Sequence, residues 1–113
     1  MIKGTIILVP FPFDDFSSVK VRPALCLTSE VGKYEHIIIA LITSKIPDDL
    51  IDSHLVIKMN TDDWVGTGLT VDSVIRLHKM VTVPKSLIKR RLGTINSRLK
   101  SELENKITQL FEI

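Results

Sequence analysis

The sequence predicts a small, mainly β protein with one helix: a strongly curved sheet or partly open barrel of short strands, with the helix packed on it at the C-terminal end. Three observations carry this. Short runs of β-branched and apolar residues recur along most of the chain, separated by Gly, Pro and Asx turn signals. Helical periodicity occurs only once at length, over the last 17 or so residues, where apolar positions fall three and four apart. With 113 residues, 44% of them apolar and 25% charged, the chain has the size and composition of one globular domain over 1–113 with a core of its own.

Taken in order, Thr5-Ile-Ile-Leu-Val9 is a core strand between Gly4 and Pro10. Pro10 to Ser18 is a loop stiffened by two prolines and carrying Phe11, Phe13 and Phe16. At least one of Phe11 and Phe13 is expected beneath the barrel, while Phe16, near the polar tip, is placed to stack on a base. The second strand runs from Val21 to Thr28 and contains Arg22-Pro23. A residue before proline is held extended, and proline gives no N–H to a ladder, so this pair belongs at a strand's first residues or on an edge. Arg22 is thus fixed at the mouth of a core strand, either as a clamp for an anion or as half of a structural salt bridge.

Glu35 to Ser44 is the strongest strand, with six consecutive apolar residues, and is expected to be central. An acidic turn or single helical turn follows at Asp48 to Asp52, then a strand from His54 to Lys58 and a loop from Asn60 to Gly68. Leu69 to Leu77 and Lys79 to Val83 read as strand, continuous or bent near His78. Pro84 to Leu87 reads as a helical turn opened by proline at its first position, and Lys89 to Ile95 as extended with a basic outer face. Asn96 or Ser97 caps the final helix, with Ile95 placed as a hydrophobic staple; Leu99, Leu103, Ile107, Leu110 and Phe111 form the stripe expected to pack on the sheet.

The net charge of +2 is less informative than its distribution. Ser73 to Ser101 holds no acidic residue but eight Lys or Arg, which suits a face that meets polyanions as well as a solvated one. The single Cys26, in an apolar strand, points to a buried and inert thiol. No signal peptide and no apolar run of membrane length is present, so a cytoplasmic protein without membrane contact is expected. His36, His54 and His78 lack metal-ligand spacing, and no Walker loop, dinucleotide glycine pattern or serine elbow is found. What is left is a set of cations and hydroxyls at strand mouths: Arg22, Thr43, Ser44, Arg76 and Lys79. Such a set suits a phosphodiester. Cleaving RNA by attack of its own 2′-hydroxyl requires fixed donors aimed at the charge that develops on phosphorus, and no metal.

The segments Gly4-Thr-Ile-Ile-Leu-Val-Pro-Phe-Pro-Phe13, Arg22-Pro-Ala-Leu-Cys-Leu27, Leu41-Ile-Thr-Ser-Lys45, Asp72-Ser-Val-Ile-Arg-Leu77, Thr82-Val-Pro-Lys-Ser-Leu87 and Leu92-Gly-Thr-Ile95 resemble, in order and spacing, the PemK/MazF family of bacterial toxins. The resemblance implies an SH3-like barrel with a C-terminal helix (the fold shared with CcdB-type gyrase poisons) and a homodimer. It implies a cofactor-free, sequence-specific endoribonuclease that cuts single-stranded mRNA to a 2′,3′-cyclic phosphate and a 5′-hydroxyl. A small cognate antitoxin would block it, and operator DNA would be bound only through the antitoxin complex. The family's catalytic arginine falls on Arg22 and its catalytic threonine on Thr43. Phe16, Ser44, Lys45, Arg76 and Lys79 are the accompanying candidates for RNA contact. The chain departs from the common family pattern at Thr5, where Asp is frequent, and at His78-Lys79, where some members carry Gln.

Overall fold

The computed structural model describes residues 3–11 and 20–113. Six antiparallel strands form one sheet in the order β4-β5-β3-β2-β1-β6, with β1 Thr5–Pro10, β2 Val21–Cys26, β3 His36–Thr43, β4 His54–Ile57, β5 Ser73–Pro84 and β6 Arg90–Thr94. A single helix, α1, spans Ser97–Phe111. Phe11 is buried, as expected of the loop aromatics; Phe13 and Phe16 lie outside the described residues. Among the described residues no helix is long and apolar enough to cross a membrane.

Both faces of the sheet are buried, which explains why β1 and β3 read as continuous apolar runs rather than alternating ones. One face places Ile6, Leu25, Ala40, Ile42, Ile75 and Leu77 against Leu99 and Leu103 of α1. The other gathers Ile7, Val9, Phe11, Ala24, Cys26, Ile37, Ile39, Leu41 and Val83. In this second core the Cys26 thiol is pushed up to about 11 by burial, so it stays protonated and unreactive at neutral pH.

The pairing of β3 with β5 is broken once. Ala40 faces Met80, but the next residue, Leu41, faces Arg76, leaving residues 77–79 as a bulge. A strand alternates faces with period two, so three extra residues reverse its phase. Ile75 and Leu77 therefore belong to the helix-side core, whereas Val81 and Val83 pack into the opposite one. Ser53 secures the bulge: its carbonyl accepts from Leu77 N at 2.9 Å and its hydroxyl meets His78 Nδ1 at 2.7 Å. The strand is thus continuous through His78, but it begins at Ser73; residues 69–72 are loop rather than strand.

Of the two alternatives for 48–52, the structure has bends at 48–49 and a turn at 52–53, not a helical turn. Three further expectations are corrected. β2 ends at Cys26 rather than Thr28. Pro84 is extended (φ −71°, ψ 145°) and precedes the 3-10 turn Lys85–Leu87 instead of opening it. Leu110 and Phe111 are exposed, at 36% and 56%, whereas Leu99 and Leu103 are buried and Ile107 is half-buried against the core. Asn96 is the cap, its Oδ1 accepting from Leu99 N at 2.8 Å. Its Nδ2 donates to Asp63 Oδ1 at 3.0 Å, and Arg98 pairs with the same carboxylate. Those bonds, Arg98 foremost, hold the Asp63 carboxyl below the usual carboxylate range and fasten the 60–68 loop to the start of the helix.

That loop also lies directly on β6. A Cβ at Gly93 would collide with the carbonyls of Gly66 and Thr67, and one at Gly68 with the Leu92 carbonyl. Gly32 shares the Gly68 backbone angle, φ +76° for each, but has open space around it. Gly32→Ala should therefore cost only the left-handed penalty of roughly 1–2 kcal/mol. Gly68→Ala should cost more than that, by on the order of 1–3 kcal/mol of overpacking, and Gly93→Ala the overpacking alone. Urea denaturation of the three variants reads these differences directly. Equal midpoints for Gly32→Ala and Gly68→Ala would show that the loop is not held against β6.

Candidate nucleic-acid interface

Arg22 is brought to the site by β2. It pairs with Val9 of β1, while the ladder to β3 begins only at Ala24, opposite Leu41. Pro23 lies between, and without an N–H it helps end pairing on this side. It is the third residue of β2, among the strand's first residues as expected, on an inner strand at a point that the ladder to β3 has not yet reached. Continuing the register outward sets Arg22 across from Thr43, where the two strands have parted. Both side chains are half-buried.

The opening between them is a groove of about 880 Å³ whose walls include Arg22, Thr43, Ser44, Lys45, Arg76 and Asp48. Thr43 Oγ1 accepts from Lys45 N at 3.1 Å, which ends the strand and orients the hydroxyl. A threonine hydroxyl that accepts one bond still has its own hydrogen to donate. The strand-end cap and the anion donor are therefore compatible roles for one side chain. Arg76 is half-buried beside Leu41, and its Nε is buried without a hydrogen-bond partner among the described residues. Among the described residues three cations and one carboxylate line the groove, a balance that favours an anion.

Of the residues singled out from sequence, Arg22, Thr43, Ser44, Lys45 and Arg76 converge here. Lys79 does not line the groove. It lies in the bulge, and the bulge is the reason: regular pairing onward from Ala40–Met80 would set Lys79 opposite Leu41, the place Arg76 takes instead. Phe16 lies outside the described residues. A second cleft of about 310 Å³ shares Arg22, Thr43 and Ser44 and adds Thr70, Leu92 and Arg90. Thr70 carried no sequence signal, since a lone threonine in a loop has no periodicity to mark it. Arg90 stood out only within the basic run. That run divides in the structure: Lys85 lies 3.7 Å from Glu30 and Arg98 pairs with Asp63 and Glu102, whereas Arg76 and Arg90 line the clefts.

Beyond Arg76 sit two imidazoles. His54, on β4, is in register with Arg76, and its ring centroid is 5.6 Å from that of His78. His54 is buried and its Nδ1 accepts from Ile51 N at 3.2 Å, which assigns the proton of the neutral ring to Nε2. Burial first, and then the Arg76 charge, hold both imidazoles below the ordinary histidine value. The unfolded chain, titrating near about 6.5, binds more protons than the folded one just below that pH. Their contribution to stability is therefore full above about 6.5 and lost as pH falls toward the folded values. The urea midpoint should drop between pH 7.5 and 5.5, and His78→Gln should flatten that drop. An unchanged slope in the variant would remove His78 from the effect.

By sequence, none of the curated proteins matches. By structure, the chain is similar to the Mycobacterium tuberculosis toxin MazF-mt6, with a TM-score of 0.73 and 22% identity over 96% of this chain and 97% of that one. It is also similar to an endoribonuclease from Mycobacterial species in complex with its cognate antitoxin, with a TM-score of 0.70 and 12% identity over 100% and 96% of the two chains. A further Mtb toxin gives a TM-score of 0.62 at 23% identity over 78% and 90%. At these identities the likeness establishes the fold: a curled antiparallel sheet with a C-terminal helix, as in MazF. The family model described as "PemK-like, MazF-like toxin of type II toxin-antitoxin system" matches residues 2–111, and by that match the chain belongs to this toxin family.

Proposed function

We propose that this toxin is a metal-independent endoribonuclease that cuts single-stranded mRNA at a particular sequence and so arrests translation and growth. The observation that carries the reading is the convergence of Arg22, Thr43 and Arg76 on one open groove at the end of the β2–β3 ladder. Attack of a ribose 2′-hydroxyl on the adjacent phosphorus forms the P–O2′ bond as the P–O5′ bond breaks, leaving a 2′,3′-cyclic phosphate and a 5′-hydroxyl. The charge that builds on the phosphoryl oxygens is met by the Arg22 guanidinium and the Thr43 hydroxyl, both held by the strand ends rather than by flexible loops. Arg76 and Lys45 add charge to the same groove.

Arginine does not give up its proton near neutral pH, so Arg22 serves as a charge clamp and hydrogen-bonds the departing 5′ oxygen, which takes its proton from water. The 2′ proton needs another acceptor. Among the described side chains lining the groove, Asp48 is the carboxylate, and we assign that role to it.

The partners proposed with this activity are single-stranded RNA, a second copy of the chain, and a cognate antitoxin, with operator DNA reached through the antitoxin complex. The mycobacterial endoribonuclease of the same fold is bound to its cognate antitoxin, which supports the antitoxin partner. A second reading, a toxin that acts by binding another protein, draws on the exposed Leu110 and Phe111 at the end of α1.

Cleavage of a long unstructured RNA should persist in EDTA. Arg22→Ala and Thr43→Val should each lower the rate by about 10²–10³ while melting like wild type. Asp48→Asn should lower kcat with little change in RNA affinity, and wild-type levels of cutting by Asp48→Asn would return the proton-acceptor role to another group. Cutting undiminished in both Arg22→Ala and Thr43→Val would displace the site. Growth arrest by a protein that cuts no RNA, relieved by Phe111→Ser, would favour the protein-binding reading.

A further inference from the structure

The groove and the smaller cleft share a wall. Arg22, Thr43 and Ser44 border the 880 Å³ groove on one side and the 310 Å³ cleft on the other, forming a ridge between them. A polynucleotide that lays one phosphate on this ridge leaves one flanking nucleotide on each side of it. The two sides differ. The groove is broad and charged, whereas the cleft has apolar walls from Pro23, Leu69, Val71 and Leu92, one loop hydroxyl at Thr70, and the Arg90 guanidinium. Its volume is at the low end of the roughly 300–1,000 Å³ of small-molecule sites, which suits one nucleoside rather than two. Apolar walls with a few fixed polar groups are what a splayed, unstacked base requires.

The cleft wall is pre-formed. Asp72 Oδ1 accepts from Met59 N at 2.7 Å, Ser73 Oγ donates to the Val71 carbonyl at 3.0 Å, and Thr67 Oγ1 accepts from Leu69 N at 3.2 Å. The close approach of Gly68 to Leu92 fixes the loop on β6. Little ordering is therefore left to pay on binding. Thr70 and Arg90 are exposed, and neither side chain has a hydrogen-bond or ion-pair partner among the described residues.

We propose that this cleft is a base-reading subsite: it takes the nucleobase next to the phosphate held by Arg22 and Thr43, with Thr70 reading the base edge and Arg90 holding the next phosphate. The proposal rests on the reading of the chain as a single-strand RNA nuclease and assigns part of its sequence preference to the 68–73 loop. Arg90 contributes affinity without selectivity, as phosphate contacts do.

The test uses the sixteen dinucleotides with a 2′-deoxy sugar on the 5′ side, which cannot be cut by 2′-hydroxyl attack, each with a phosphate at both its 5′ and its 3′ end so that a phosphate next to the internucleoside one is present. Each is titrated into 15N-labelled full-length protein, and RNA cleavage by the same preparation is measured alongside. Thr70, Val71 and Leu92 amides should shift and saturate together with Lys45 and Ser44, and affinity should depend on one of the two bases. Thr70→Val, which keeps shape and loses the hydroxyl, should reduce that preference by about tenfold, while Arg90→Gln should weaken all sixteen alike. Shifts confined to Ser44–Asp48, shifts in neither set, or a base preference intact in Thr70→Val overturns the subsite. Shifts in both sets from a protein that cuts no RNA keep the cleft as a nucleotide site and overturn only the nuclease reading.

Discussion

Every residue of β3 has a partner on β5, and one break in that ladder decides which side chains face the groove. A sheet buried on both faces has no tolerance for a phase error, because shifting a strand by one residue moves all its apolar side chains to the wrong core. The bulge at 77–79 allows Ile75 and Leu77 to serve one core while Val81 and Val83 serve the other. Its consequence for the site is the presence of Arg76, rather than Lys79, beside Leu41 and near Arg22 and Thr43. Arginine presents a planar fork of donors where lysine presents a point charge, so the exchange matters for the grip on a phosphate proposed for this groove.

The remaining geometry follows from where pairing stops. Pro23 marks the end of β2–β3 pairing, the strand ends diverge, and the space between them is the groove. Thr43 is the last residue of β3, and its hydroxyl is turned by the backbone of Lys45. The groups proposed to meet a phosphate thus stand on strand ends anchored in two cores, which holds them as a rigid array. On the far side of β5, the buried His54 and the bulge residue His78 stay neutral next to Arg76, so they add no repulsion to a site already rich in positive charge.

Loop 58–72 plays a corresponding part for the smaller cleft. It is tied to α1 through Asp63, Asn96 and Arg98, to itself through Asp72 and Met59, and to β6 through the backbone contacts of Gly66, Gly68 and Gly93. Two segments far apart in sequence, the loop and the basic strand Arg90–Thr94, are thereby made into facing walls.

The sequence by itself determined the strand-rich architecture, the terminal helix with its Asn96 cap, the buried thiol of Cys26 and the prominence of Arg22, Thr43 and Arg76. These are local matters: β-branched runs, a cap side chain and an arginine before a proline each act on the backbone within a few residues. It left open whether β5 is continuous or bent near His78, and it did not determine that β2 is an inner strand or that Phe111 stays exposed at the end of α1. Nor did it single out Thr70. Those outcomes depend on which strand lies beside which, and pairing partners are chosen by the packing of two whole cores rather than by any one stretch of chain. Only the tertiary structure decided that Arg76 displaces Lys79 from the groove, and that a glycine-bearing loop and a basic edge strand close a second cleft beside it.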